Sequence, residues 1–113
     1  MTATAEIRNG ICLVTLAGEF DRANVGEIEA EIEVCLQQAR SIVFDFKDLT
    51  FANGAVISLL HDALERLGDG GQVAVAEALP LIEMLFRVAG LTDLPNFRLY
   101  PNVSEAFRTM DRE

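Results

Sequence analysis

The chain has 113 residues, half of them hydrophobic and 24% charged, with a formal net charge of −9. That length and apolar content suit one α/β-sized domain over residues 1–113, and exclude both a disordered chain and two domains. So acidic a surface repels phosphate backbones and anionic lipid, which sets nucleic acid and membrane surfaces aside and favours a basic protein as partner, although acidity also serves solubility alone.

No apolar run approaches the ~20 residues that span a bilayer. The first six residues lack a basic stretch followed by an apolar one, so no export signal and no membrane insertion are expected, and the reading is cytoplasmic. Cys12 and Cys35 lie far apart in sequence. In an unexported chain they read as buried free thiols rather than a disulfide. With the single His61 they form no zinc-ligand spacing, and no metal or cofactor is expected.

Along the chain, Asn9-Gly10 is a two-residue hairpin signal. It joins a polar strand over residues 4–8 to an apolar strand over residues 11–16. The first is expected to be an antiparallel edge strand, the second to be covered on both faces. A loop over residues 18–24 follows, then a helix over residues 24–39 with Val25, Ile28, Ile32, Cys35, Leu36 and Ala39 at helical spacing. Residues 41–46 read as a central strand and residues 47–53 as a loop. A second helix over residues 54–67 turns Val56, Leu59, Leu60, Ala63, Leu64 and Leu67 inward and Ser58, His61, Asp62, Glu65 and Arg66 outward. The glycines at 68, 70 and 71 stop it. Residues 72–76 form a fourth strand. Pro80 opens a third helix to about Ala89, residues 97–100 form a fifth strand, and Asn102 caps a last helix over residues 103–110. Strands alternating with helices predict an α/β domain with right-handed crossovers. Its sheet would be mixed and mostly parallel, with about five strands and about four helices. Binding sites in such sheets lie beyond the carboxyl ends of the parallel strands, here at residues 18–24, 47–53 and 76–79.

The third helix carries two apolar stripes, Leu81, Met84, Leu85 and Val88 beside Ile82, Phe86 and Ala89. A helix apolar on two sides is either deeply buried or binds something. Burial is the simpler expectation, with Ile82 and Phe86 as the residues that would extend a docking surface.

Leu16, Gly18, Phe20, Asp21 and Asn24, the run from Phe44 to Phe51, the Val88-Ala-Gly-Leu91 ending and the start of the last helix at Val103 together resemble the STAS domain, the fold of bacterial anti-sigma-factor antagonists. The resemblance covers nearly the whole chain. It implies a non-catalytic, protein-binding regulator in sigma-factor and transcription control, with a kinase-like ATPase anti-sigma factor as partner. The implied docking surface comprises Asp21, Asn24, Asn53, Gly54 and Ser58. A homodimer is compatible with it. Two other roles stay open: accessory subunit of an ABC-type lipid or solute transporter, and a nucleotide-sensing module.

One departure stands out. Where the family places Asp-Ser-Ser-Gly or Asp-Ser-Ala-Gly, this chain reads Asn53, Gly54, Ala55 and Val56. The family's phosphoacceptor hydroxyl therefore falls on Gly54, which has none. Asn53 keeps an oxygen that can cap the helix. Thr50 and Ser58 are the nearest hydroxyls and the candidates for a displaced phosphosite, but structural or solvated roles are the expectation for both. Asp21, Asp45 and Asp48 sit near strand ends, but the paired acids, Lys and Thr or Ser of a magnesium-binding receiver site are not evident; a structural role is expected for Asp45, and loop-capping or partner-facing roles for Asp21 and Asp48. His61 reads as a solvent-side helix residue, and residues 68–71 lack the Lys-Thr of a phosphate-binding loop. An enzyme is not expected.

Overall fold

The computed structural model describes residues 2–111. Five strands, β1 (Thr2–Arg8), β2 (Ile11–Phe20), β3 (Ser41–Ala52), β4 (Val73–Ala76) and β5 (Phe97–Tyr100), form one sheet in the order β1-β2-β3-β4-β5. β1 runs antiparallel to β2, and all other neighbours are parallel. Four helices connect or follow them: α1 (Val25–Leu36), α2 (Ala55–Leu67), α3 (Pro80–Val88) and α4 (Val103–Met110). The predicted mixed α/β architecture is thus present, with the antiparallel edge strand in its expected place.

Local chemistry explains most of the joints. Asn9 and Gly10 both take positive φ, 54° and 78°, which matches the right-handed strand twist across a two-residue hairpin. Pro80 sits at the first helical position of α3, where its missing N–H is not needed. The Asn102 side chain accepts a hydrogen bond from the Glu105 N–H at 2.8 Å and caps α4.

Alternation along the strands divides the core. Cys12, Val14, Leu16, Ile42, Phe44, Phe46, Val73 and Val75 pack with α1, α2 and α3. Ile11, Leu13, Val43 and Ala74 point the other way and are covered by Ala106 and Met110 of α4. β2, β3 and β4 are therefore apolar on both faces, as strands covered on both sides must be.

Several expectations need correction. β2 and β3 do not end at residues 16 and 46. They run on side by side to Phe20 and Ala52, through register shifts near residues 16 and 18. Gly18 bends the strand at φ +98°, the Thr50 hydroxyl donates to the Gly18 carbonyl at 3.1 Å, and Leu49 is buried. The expected loops at 18–24 and 47–53 shrink accordingly. α1 ends at Leu36 rather than near residue 39, because the Gln38 and Ala39 N–H groups both close onto the Cys35 carbonyl. A short 3-10 turn, Leu91–Asp93, follows α3 and buries Leu91, an element the sequence pattern does not reveal.

The cysteines also differ from expectation: Cys12 and Cys35 form a disulfide. Cys12 lies on the β2 face that α1 covers, and Cys35 in the last turn of α1. Their Cα atoms are 5.7 Å apart, within the span a disulfide bridges. Folding thus brings together two residues separated by 23 positions in sequence. Closing a loop of that length removes roughly 3 kcal/mol of entropy from the unfolded chain. Adding a thiol reductant is expected to lower the thermal midpoint by roughly 10 °C in a circular-dichroism melt. A Cys12→Ser/Cys35→Ser variant should no longer respond to reductant, and an unchanged wild-type midpoint would contradict the bridge.

Candidate functional site

The last β2–β3 pair is Phe20 with Ala52. Adjacent strands lie about 4.8 Å apart, so the chain leaves the sheet at two neighbouring points, into Asp21 on one side and Asn53 on the other. Each exit leads at once into a helix: Asn24 precedes α1, and Gly54 precedes α2. Both helices pack on the same face of the sheet. Two helix N-termini therefore open at one end of the molecule, and their unpaired N–H groups give that end a partial positive charge despite the acidic surface around it.

The loop between β2 and α1 is held by its own side chains. Asp21 Oδ1 accepts from the Ala23 N–H at 2.9 Å, Asn24 Nδ2 donates to the Glu19 carbonyl at 2.8 Å, and Asn24 Oδ1 accepts a longer bond, 3.4 Å, from the Asp21 N–H. Asp21 and Asn24 thus shape the loop in addition to any contact they offer a partner. Asn53 Oδ1 accepts from the Ala55 N–H at 2.9 Å, and the Asn53 carbonyl from the Val56 N–H at 3.1 Å. Asn53 does cap α2, one residue ahead of where the helical geometry begins.

Gly54 is exposed and helical in backbone, with φ −58° and ψ −17°. A Cβ placed there would meet no heavy atom within 4 Å. Nothing in its surroundings demands glycine. Ser58 is exposed on the outer side of α2, and His61 is exposed one turn further along. Of the acids, Asp45 Oδ1 accepts from the Lys47 N–H at 3.0 Å, Asp48 is exposed on β3, and Asp21 lies beyond the strand end. Among the described residues no three His, Cys, Asp or Glu side chains gather as a metal site. Arg66 on α2 reaches Glu33 on α1 and also pairs with Asp62 at 3.4 Å, which ties the two helices together on their outer side and raises the guanidinium pKa, chiefly through its hydrogen bond to Glu33.

The burial expected of α3 holds for one of its stripes and fails for the other. Ile82 and Phe86 are buried, while Leu81, Met84 and Val88 are exposed. Ile82 and Phe86 therefore belong to the core and offer nothing to a docking surface. Two apolar stripes on one short helix cannot be ranked from periodicity, since either one can face the sheet.

The STAS domain family model matches residues 2–106, and the chain belongs to that family. The fold is also that of solved anti-sigma-factor antagonists. An anti-sigma-factor antagonist from Mycobacterium paratuberculosis superposes with a TM-score of 0.84 at 24% identity, over 99% of this chain and 94% of that one. The anti-sigma-factor antagonist SpoIIAA in its unphosphorylated form gives 0.84 at 20% identity, over 99% and 98%. The Bacillus cell-fate determinant SpoIIAA in its phosphorylated form gives 0.77 at 20% identity, over 96% and 99%. Among the described residues no helix is long and apolar enough to cross a membrane.

Proposed function

We propose that this chain is a non-catalytic anti-sigma-factor antagonist that captures a kinase-type anti-sigma factor through Asp21, Asn24, Asn53, Gly54 and Ser58, and that its binding is not switched at residue 54. The observation that carries the reading is the pair of helix N-termini at adjacent strand exits, the second of them capped by Asn53 and begun by an exposed residue that lacks a hydroxyl. A family member solved in both an unphosphorylated and a phosphorylated form supports modification as a control on this fold. Here Asn53 retains the cap and Gly54 lacks the acceptor oxygen, so the docking end persists without its switch. The partner then binds constitutively or is controlled elsewhere on the pair.

The test uses the kinase-type anti-sigma factors encoded in the same genome, each mixed with the purified chain with and without ATP. One of them should bind with an affinity that prior incubation with ATP leaves unchanged, and intact-mass spectrometry should find no phosphate on the chain. Phosphate added to the chain, or binding only to a transporter ATPase, would overturn this assignment.

A further inference from the structure

Among the described residues, seven large apolar side chains are exposed, and five of them, Phe51, Leu79, Leu81, Met84 and Val88, gather on one face. Leu81 and Val88 are the extremes, at 75% and 83% exposed. With Ala52 these side chains line a groove of about 380 Å³ between α3 and the far end of β3. Scattered apolar side chains on a surface need no explanation, but a contiguous apolar groove marks a binding site.

The wall opposite α3 is a strand edge. β4 stops at Ala76, opposite Asp45, so residues 46–52 of β3 continue with β2 on one side and, among the described residues, no strand on the other. An open edge offers backbone donors and acceptors to an incoming chain. An extended segment that pairs with an edge and sets alternate side chains into apolar hollows is one of the recurring ways proteins recognise peptides.

Charge decides between the candidate occupants. The chain carries a net charge of −9. A second copy would bring the same excess of negative charge against it, whereas a segment with basic flanks would be drawn in. We infer that this groove is a strand-addition site for an extended, apolar segment of a partner protein, flanked by Lys or Arg, which pairs with the β3 edge at residues 46–52 and packs on Leu81, Met84 and Val88. The site adjoins the α2 N-terminus, because residue 52 leads directly into Asn53. It goes beyond the anti-sigma reading and holds whichever protein supplies the segment.

The probe is a short labelled peptide of alternating valine and threonine with lysines at both ends. It is compared with an N-methylated version that cannot pair through its backbone and with an amphipathic helical peptide of equal charge. Saturable binding is expected from the first probe alone, read by fluorescence anisotropy, together with slower amide exchange within residues 46–52. Leu81→Glu and Val88→Glu alter side chains already in solvent, so their unfolding midpoints should match the wild type. Each should weaken the probe by about tenfold or more. Three results would each overturn the inference: no binding of the first probe, equal binding of the helical or N-methylated peptide, or self-association of the free chain that Leu81→Glu abolishes. None of them bears on anti-sigma-factor binding, which is read separately through Gly54 variants.

Discussion

A Gly54→Ser variant is expected to fold as well as the wild type and to gain a phosphorylation site that the wild type lacks. The backbone at 54 is already helical, and a Cβ there enters open space, so no atom must move to receive serine. Replacing glycine at a compatible position restricts the unfolded chain and stabilises by about 0.4–1 kcal/mol. The thermal midpoint should therefore hold or rise slightly. Asn53 keeps its bond to the Ala55 N–H, so the new hydroxyl stands beside a helix start already capped. A phosphate added there would be favoured by the helix N-terminus. It would also bring a charge of about −1.5 to −2 to the docking end. Under the proposed function, the kinase-type partner should bind the Gly54→Ser variant in the absence of ATP and release it once ATP is supplied, while the wild type stays bound throughout. Gly54→Asp should weaken binding without ATP. Intact-mass spectrometry and a binding titration read both halves. If the serine variant binds as the wild type does and never acquires phosphate, residue 54 does not face a kinase active site, and the assignment of this end as the docking surface fails.

The legible and illegible parts of this fold divide by the range of the interactions that set them. Hairpin, caps and helix stripes depend on neighbours a few residues away, and Asn9-Gly10, Asn53, Pro80 and Asn102 announce them directly. The continuation of β2 and β3 depends on pairing across the sheet. Lys47, Asp48 and Thr50 look like loop residues because they are polar; they become strand residues because β2 runs alongside and Leu49 is buried. The disulfide has the same origin: neither Cys12 nor Cys35 has any local mark of a partner, and only the packing of α1 on β2 brings them within reach. The candidate site lies between these cases. Its helix start at 53–54 is local, but the adjacency of Asp21 to Asn53 follows from a strand register that periodicity does not reveal. The groove was hidden for a third reason. Its apolar residues look like core residues, and only the three-dimensional arrangement leaves Leu81, Met84 and Val88 without a layer above them.

The two faces of α3 make the sharpest test of that arrangement. Phe86 is fully buried, with its ring centroid 6.3 Å from that of Phe46 and 5.6 Å from that of Phe97, edge-on to the latter. Phe86→Ala removes the side chain that seats α3 against β3 and β5, and the surrounding aromatic rings cannot collapse fully into the space. The expected cost is about 3–5 kcal/mol. Domains of this kind are stable by about 5–15 kcal/mol in all, so the loss should move the urea midpoint far down or leave little folded protein at ambient temperature. Leu81→Ala, on the same helix but 75% exposed, should cost no more than about 0.5 kcal/mol. Chemical denaturation of the two variants side by side gives the comparison, and the gap between them matters more than either value. Equal, small losses would mean that α3 is not anchored through Phe86, and the groove built against its outer face would lose its wall. A large gap fixes the orientation of the helix and, with it, the outward direction of the Leu81, Met84 and Val88 stripe.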